Sequence, residues 1–149
     1  MKIHIELKKA DESDCEYVYG LICLLEGTNF KYDEFCLNYM INLKNSSIDY
    51  FIIKCDEEQC GFISLYTQTL LHHNGRVCEI QEFIIEEKFR GKGIGGNVIT
   101  LITEIVQKNN AVQLEVCTNK NRQSSQRFYK TNDFIETHYK YVMKFQDLF

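Results

Sequence analysis

Seven consecutive residues carry the densest chemical signal in the chain: Arg90-Gly91-Lys92-Gly93-Ile94-Gly95-Gly96. Glycine lacks the Cβ that would hold a ligand away from the main chain. The run opens a helix, and the free amides of a helix N-terminus point outward with a partial positive charge. That combination is suited to a phosphate or diphosphate, and Arg90 and Lys92 add full charges beside it. A plain surface turn has no use for so many glycines ahead of a strong helix. Gly91, Gly93 and Gly96 also fit the spacing of a dinucleotide-binding fingerprint, with Glu115 about twenty residues on as the ribose acid. That fingerprint belongs in a tight turn after the first strand of a parallel fold. Here the preceding strand is about the fourth, it is reached through antiparallel hairpins, and Glu86 to Arg90 intervenes, so the dinucleotide reading is set aside. A second chemistry is proton transfer by carboxylates. Glu79 and Glu82 stand just ahead of the glycine run. Three positions apart, they face opposite ways on an unbroken strand, and a bulge would change that.

The elements that position these residues follow from periodicity. Ile3–Leu7 alternates as a short strand. Asp11 can cap a helix with Val18, Leu21, Ile22 and Leu25 on one stripe, ended by Gly27. A second helix is expected from about Asp33, with Phe35, Tyr39, Met40 and Leu43 on one side. Tyr50–Cys55 and Cys60–Thr67 flank the acidic turn Asp56-Glu57-Glu58 as a hairpin. Asn74-Gly75 signals a second hairpin that returns through Val77–Ile85. The helix after the glycines carries Ile94, Val98, Leu101, Ile102, Ile105 and Val106 on one face. Val112–Val116 reads as a buried strand, Arg122 to Lys130 as a helix, and Phe134–Phe145 as one or two closing strands. The expected order is β-α-α-β-β-β-α-β-α-β, without repeats, low-complexity tracts or proline, and 1–149 reads as one domain.

Composition bounds the function. Of the 149 residues, 44% are hydrophobic and 13% aromatic, enough to build a core and to argue against disorder. A net charge of -4 argues against nucleic acid as a partner. No apolar run approaches the roughly 20 residues that span a bilayer, and nothing near Met1 resembles a signal peptide, so a cytoplasmic protein without a membrane partner is expected. The seven cysteines form no C-x-x-C pair and read as small buried hydrophobes in a reducing compartment. No zinc-ligand spacing is present.

The arrangement resembles the GNAT superfamily of acetyltransferases. Its hallmark, Arg or Gln, two residues, Gly, one residue, Gly or Ala, is filled by Arg90, Gly93 and Gly95. Arg127-Phe128-Tyr129 followed by Phe134 resembles the family's Phe-Tyr and Gly-Phe pattern. Ile63-Ser64-Leu65, Leu71-His72-His73, Glu79-Ile80-Gln81-Glu82, Thr118-Asn119 and Val18-Tyr19 with Leu21-Ile22-Cys23 are similar to the aminoalkylphosphonate N-acetyltransferases. Two positions depart from the family pattern. Asp133 stands where Gly is usual, although Asp tolerates a left-handed backbone. Arg122 stands where Asn is frequent, with Asn121 one residue earlier.

The resemblance implies an α/β (α+β) GNAT fold, with a mixed, mostly antiparallel sheet flanked by about four helices. It implies acetyl-CoA as cosubstrate, lying between the strand that ends at Ile85 and the strand Val112–Val116. The backbone of Phe83, Ile84 and Ile85 would pair with the pantetheine arm, and Arg90, Gly91, Lys92, Gly93, Ile94, Gly95 and Gly96 would hold the diphosphate. Glu79, four residues ahead of the pairing segment, matches the family's base position, with Glu82 as the other candidate. Tyr129 would protonate the departing thiolate, and an amide near Ile84 would polarise the thioester. The expected reaction is direct transfer to a primary amine of a small molecule, an aminoalkylphosphonate among the candidates, in a ternary complex without a cysteinyl intermediate. The other readings are a protein, polyamine or aminoglycoside acetyltransferase, or a non-catalytic acyl-CoA sensor, which would keep the glycine run and dispense with Glu79 and Tyr129. Tyr32, Tyr66, Gln68 and Tyr139 are candidates for the pocket lining, and Arg76 for an anion partner. No metal is expected: His72 and His73, adjacent on an extended chain, point apart and do not chelate one ion together. A divalent metal stays an alternative cofactor. A homodimer through the closing strands is compatible with the sequence.

Overall fold

A five-stranded sheet in the order β1-β2-β3-β4-β5 organises the computed structural model, which describes Lys2–Gln146. The described residues up to Cys117 form one compact unit, and those from Thr118 a second. In the first unit, β1 (Ile5–Lys9) leads through a 3-10 turn at Glu12–Asp14 into α1 (Cys15–Glu26) and α2 (Tyr32–Leu43). Strands β2 (Ile48–Cys55), β3 (Glu58–Leu70) and β4 (Gly75–Ile85) form an antiparallel meander, with β1 antiparallel on β2. Then come α3 (Ile94–Lys108) and β5 (Ala111–Val116), which lies parallel to β4, as an α-helical crossover permits. The second unit holds α4 (Gln123–Thr131).

Local chemistry explains the boundaries. Asp11 does not cap α1 directly. Its carboxylate accepts from the Ser13 amide at 2.9 Å, and the Asp14 carboxylate accepts from the Asp11 amide at 2.9 Å. This reciprocal box closes the 3-10 turn, which runs on into α1. Gly27 ends α1 in the left-handed conformation at φ 65°. Alternation assigns the two faces of the sheet. Tyr50, Ile52, Phe62 and Ile84 form one buried layer with Val18 and Leu21 of α1 and Tyr39 of α2. Ile53, Ile63, Leu65 and Ile80 alternate with that set and are equally buried, and α3 lies against β1, β4 and β5 with Val98 and Ile102 fully buried. A fully buried side chain of this size contributes about 1.5–3 kcal/mol.

Three expectations are corrected. The closing strands do not form: residues 134–144 carry no regular element and 145–146 a bend, and Ile135, Tyr139, Tyr141 and Val142 are exposed. Among the described residues, alternation there has no partner strand to bury against, and a dimer through closing strands loses its basis. The cysteines are not all free thiols: Cys55 and Cys60 are joined as a disulfide across the β2–β3 hairpin, with Cα atoms 6.1 Å apart. Register supplies the reason, since Ile53 faces Gly61 and Lys54 faces Gln59, so Cys60 is the bulged residue beside the hairpin end. His72 and His73 do not lie on an extended chain: they sit in a 3-10 turn, Leu71–His73, with ring centroids 4.4 Å apart.

Candidate active site

The β-bulge between β3 and β4 decides which side chains share a face. Ser64 pairs with Glu82 and the next residue, Leu65, pairs with Ile80, so Gln81 is the extra residue on β4. Tyr66 pairs with Glu79. Ser64 and Tyr66 lie two apart on β3 and project to one face, so Glu79 and Glu82 do as well. The sequence left this conditional on a bulge, and the bulge exists.

The environments of the two carboxylates differ. Ser64 is fully buried, and its hydroxyl donates to Glu82 Oε1 at 2.5 Å while accepting from the Glu82 amide at 3.0 Å. Burial raises the Glu82 carboxyl above the usual carboxylate range, the Ser64 hydrogen bond opposes that shift, and the charge of Glu26 adds to it. Glu79 accepts from the Gln81 side-chain amide at 2.7 Å and pairs across β5 with Glu115, whose carboxylate lies 3.9 Å from His73 Nε2.

Glu82 opens onto a cavity of about 300 Å³ between α1, α2 and the sheet. Phe30, Phe35, Tyr39, Tyr50, Phe62 and Tyr66 give it aromatic walls, with Asn38, Asn42, Lys31 and Glu34 contributing the polar groups besides Glu82. The Asn42 amide donates to the Tyr50 phenol at 2.7 Å and to the Tyr66 phenol at 3.2 Å, so both rings are held in place. Of the four residues named from sequence as lining candidates, Tyr66 lines this cavity; Gln68 lines a neighbouring polar one with Tyr66 and Arg76. Tyr32 belongs to α2, where its ring meets Tyr19 edge-on at 5.0 Å. Tyr139 belongs to the second unit and is exposed.

The residues expected from the sequence to hold the cofactor sit where two strands part. Pairing of β4 with β5 runs from Arg76 to Ile80 and stops, while β4 continues against β3 to Ile85. The main chain at Ile84 and Ile85 therefore lies on an edge that β5 has left. Beyond it, Gly91 and Gly93 adopt φ 76° and 77°, a region that glycine enters without penalty. Gly93 is the N-cap of α3 and offers no side-chain cap, so the amides of Ile94, Gly95 and Gly96 in the first turn lack intrahelical acceptors. The Arg90 Nε folds back to donate to the Ile85 carbonyl at 2.8 Å, tying the loop to the strand end. Lys92 Nζ lies 5.8 Å from the Phe89 ring centroid. An edge of backbone donors and acceptors leading into an anion-binding helix start fits an extended thiol cofactor ending in a diphosphate.

In the second unit, Tyr129 lies on α4, half-buried, edge-on to Phe128 at 5.2 Å and to Phe134 at 5.4 Å. Burial pushes its phenol up to about 12, against a lowering pull from Arg122. Asp133 takes the left-handed conformation at φ 69°, so the turn usual for Gly survives. Ser64 was not named from sequence as a functional residue; one serine in an apolar strand carries no signal until its carboxylate partner is seen.

The chain matches the Acetyltransferase (GNAT) family over residues 11–134. It is 31% identical over 137 residues to the aminoalkylphosphonate N-acetyltransferase of Salmonella typhimurium (strain LT2), covering 92% of this chain and 89% of that protein. Among solved structures, a transcriptional regulator from Bacillus halodurans C-125 aligns with a TM-score of 0.85 at 19% identity, over 95% of this chain and all of that one. An aminoglycoside N-acetyltransferase in complex with CoA aligns with a TM-score of 0.79 at 16% identity, over 99% and 97% of the two chains. At such identities these two structures speak for the fold. Among the described residues, no helix is long and apolar enough to cross a membrane. The family match, the relative and the parting of β4 from β5 beside a glycine-rich helix start agree: the chain belongs to the GNAT acetyltransferase family and is an acetyl-CoA-dependent N-acetyltransferase.

Proposed function

We propose that residues 1–149 form one catalytic domain that acetylates the primary amine of a small molecule by direct transfer, with Ile84, Ile85 and the loop Arg90–Gly96 holding acetyl-CoA. The observation that carries this reading is the open cavity with Glu82 on its wall, the carboxylate standing on the same strand whose end leaves β5 ahead of the glycine run. Phe83, with Ile84 and Ile85, would supply main-chain contacts to the pantetheine arm. Gly91, Gly93 and the amides of Ile94, Gly95 and Gly96 would hold the diphosphate, with Lys92 and Arg90 beside it.

Chemistry begins with loss of the ammonium proton, because only the neutral amine has a lone pair. Glu82 takes that proton, directly or through a water, and its burial makes it a stronger base than an exposed carboxylate. Glu79 shares the face and is the alternative base. The amine nitrogen attacks the thioester carbonyl carbon, the carbonyl electrons move to oxygen, and the oxyanion is met by an amide near Ile84. Collapse breaks the C–S bond, the nitrogen gives its second proton to water, and the thiolate takes a proton from a phenol, for which Tyr129 is the candidate because its raised phenol stays protonated at neutral pH; the phenolate then regains a proton from water. No cysteine need be acylated.

The similarity to an aminoalkylphosphonate N-acetyltransferase makes 2-aminoethylphosphonate the first acceptor to test. A cytoplasmic location belongs to the same proposal, because acetyl-CoA is an intracellular metabolite. Incubation with acetyl-CoA and a panel of aminoalkylphosphonates, aryl and alkyl amines, polyamines, aminoglycosides and a basic peptide, read as thiol release, tests the reading. Turnover on peptide alone would replace it with protein acetylation, and coenzyme A binding with no acceptor would favour a sensor.

A further inference from the structure

The charge and shape of the cavity narrow the acceptor further than the reaction class does. Phe35 stacks toward Tyr39 with centroids at 6.5 Å, Tyr39 stacks on Tyr50 at 5.4 Å, and Tyr50 meets Phe62 edge-on at 5.3 Å. All four rings line the cavity, so an aromatic run leads from α2 to the sheet beside Glu82. Ring faces are negative and attract ammonium groups as well as apolar bodies. Among the described residues lining the cavity, Lys31 is the one cation, and Glu34 lies 3.7 Å from it. Glu34 and Glu82 outweigh it, and Glu26 adds a further negative field at Glu82.

Resting on the transfer reading above, we propose that this cavity takes a primary amine whose body is aromatic or alkyl and carries no anionic group. A phosphonate in the same space would need charge-assisted donors, best a bidentate Arg, to replace its water. The Asn42 amide is engaged by two phenols, and Lys31 is engaged by Glu34. Arg76 lines the neighbouring polar cavity and donates to the Asn109 carbonyl at 3.0 Å. An arylalkylamine asks for none of these. Its ring packs on the aromatic run, and its ammonium is drawn to the carboxylate that will deprotonate it.

The test uses the full chain at fixed acetyl-CoA and follows thiol release with 2-phenylethylamine, 3-methylbutylamine, putrescine and 2-aminoethylphosphonate. The expected result is a kcat/KM for 2-phenylethylamine at least roughly tenfold above that for 2-aminoethylphosphonate, one full cation–π or charge contact apart. Glu34→Lys, an exposed change outside the proposed chemistry, should narrow that ratio about fivefold by reversing one charge at the rim. A preference for 2-aminoethylphosphonate that Arg76→Gln abolishes would overturn the inference and leave acetyl transfer standing, whereas a preference for putrescine, an alkyl amine without an anionic group, would uphold it. Calorimetry on the coenzyme A-loaded chain separates the two readings. Heat from 2-phenylethylamine without thiol release would uphold the cavity's preference and overturn the transfer. Neither heat nor release with that amine would overturn the preference, while heat from coenzyme A in the same titration still reports the cofactor site.

Discussion

Removing the Ser64 hydroxyl should move the acid limb of the pH–rate profile upward. Ser64 is fully buried, and its donation to Glu82 Oε1 at 2.5 Å stabilises the carboxylate form over the neutral acid. A hydrogen bond to a charged group contributes about 1.5–3 kcal/mol, and one pKa unit corresponds to about 1.4 kcal/mol. The full loss would raise the Glu82 carboxyl by about one to two units, and a water entering the vacated space offsets part of that, so Ser64→Ala should shift it by about one unit. The assay is kcat/KM against pH with the best amine acceptor, since that ratio reports the free enzyme's groups. The rate on the plateau above the limb should change little, because a base of higher pKa still accepts the proton. Ser64→Cys, a weaker donor of similar shape, should fall between the two. Urea unfolding of the same variants shows whether the fold is kept. A limb that stays in place while the rate falls by one factor at every pH would refute the reasoning and leave Ser64 a packing residue.

Glu82→Gln should lower kcat by roughly 10²–10⁴-fold, the usual contribution of a positioned base, with Glu79→Gln far less affected; the reverse order in thiol release would make Glu79 the base. The Glu82 carboxyl is raised by folding, so its contribution to stability is full below the unfolded value and is lost as pH rises through the folded one. Glu82→Gln should therefore unfold at equal or higher denaturant than the parent at neutral pH, and show less decline between acid and neutral pH. Tyr129→Phe should slow turnover within about 10²–10⁴-fold while coenzyme A binding by calorimetry is nearly kept. At Gly93 a Cβ would find open space, but φ 77° is strained for alanine. Gly93→Ala should therefore weaken coenzyme A by roughly five- to thirtyfold, through about 1–2 kcal/mol of backbone cost. Gly61→Ala would drive a Cβ into the Ile84 carbonyl oxygen; an overpacking cost of about 1–3 kcal/mol should appear in urea unfolding, together with weaker coenzyme A binding as β4 shifts.

What the sequence determined by itself was whatever depends on short-range patterns. The glycine run ahead of an apolar 3.6-residue stripe specified a helix start with free amides, and the alternating segments around Asp56-Glu57-Glu58 and Asn74-Gly75 specified the meander; both are present. Asp133 could be trusted in a left-handed turn because its side chain tolerates one. Phe134–Phe145 shows the limit, since alternation marks a strand only where a neighbour pairs with it. The tertiary structure decided everything that depends on register. The single extra residue Gln81 swings Glu82 onto the face of Glu79. The pairing across β3 places a buried hydroxyl on Glu82, and the packing of α1 and α2 on the sheet forms a cavity with aromatic walls beside that carboxylate. A bulge costs one residue and leaves no mark in composition, so which carboxylates share a face is a property of strand pairing.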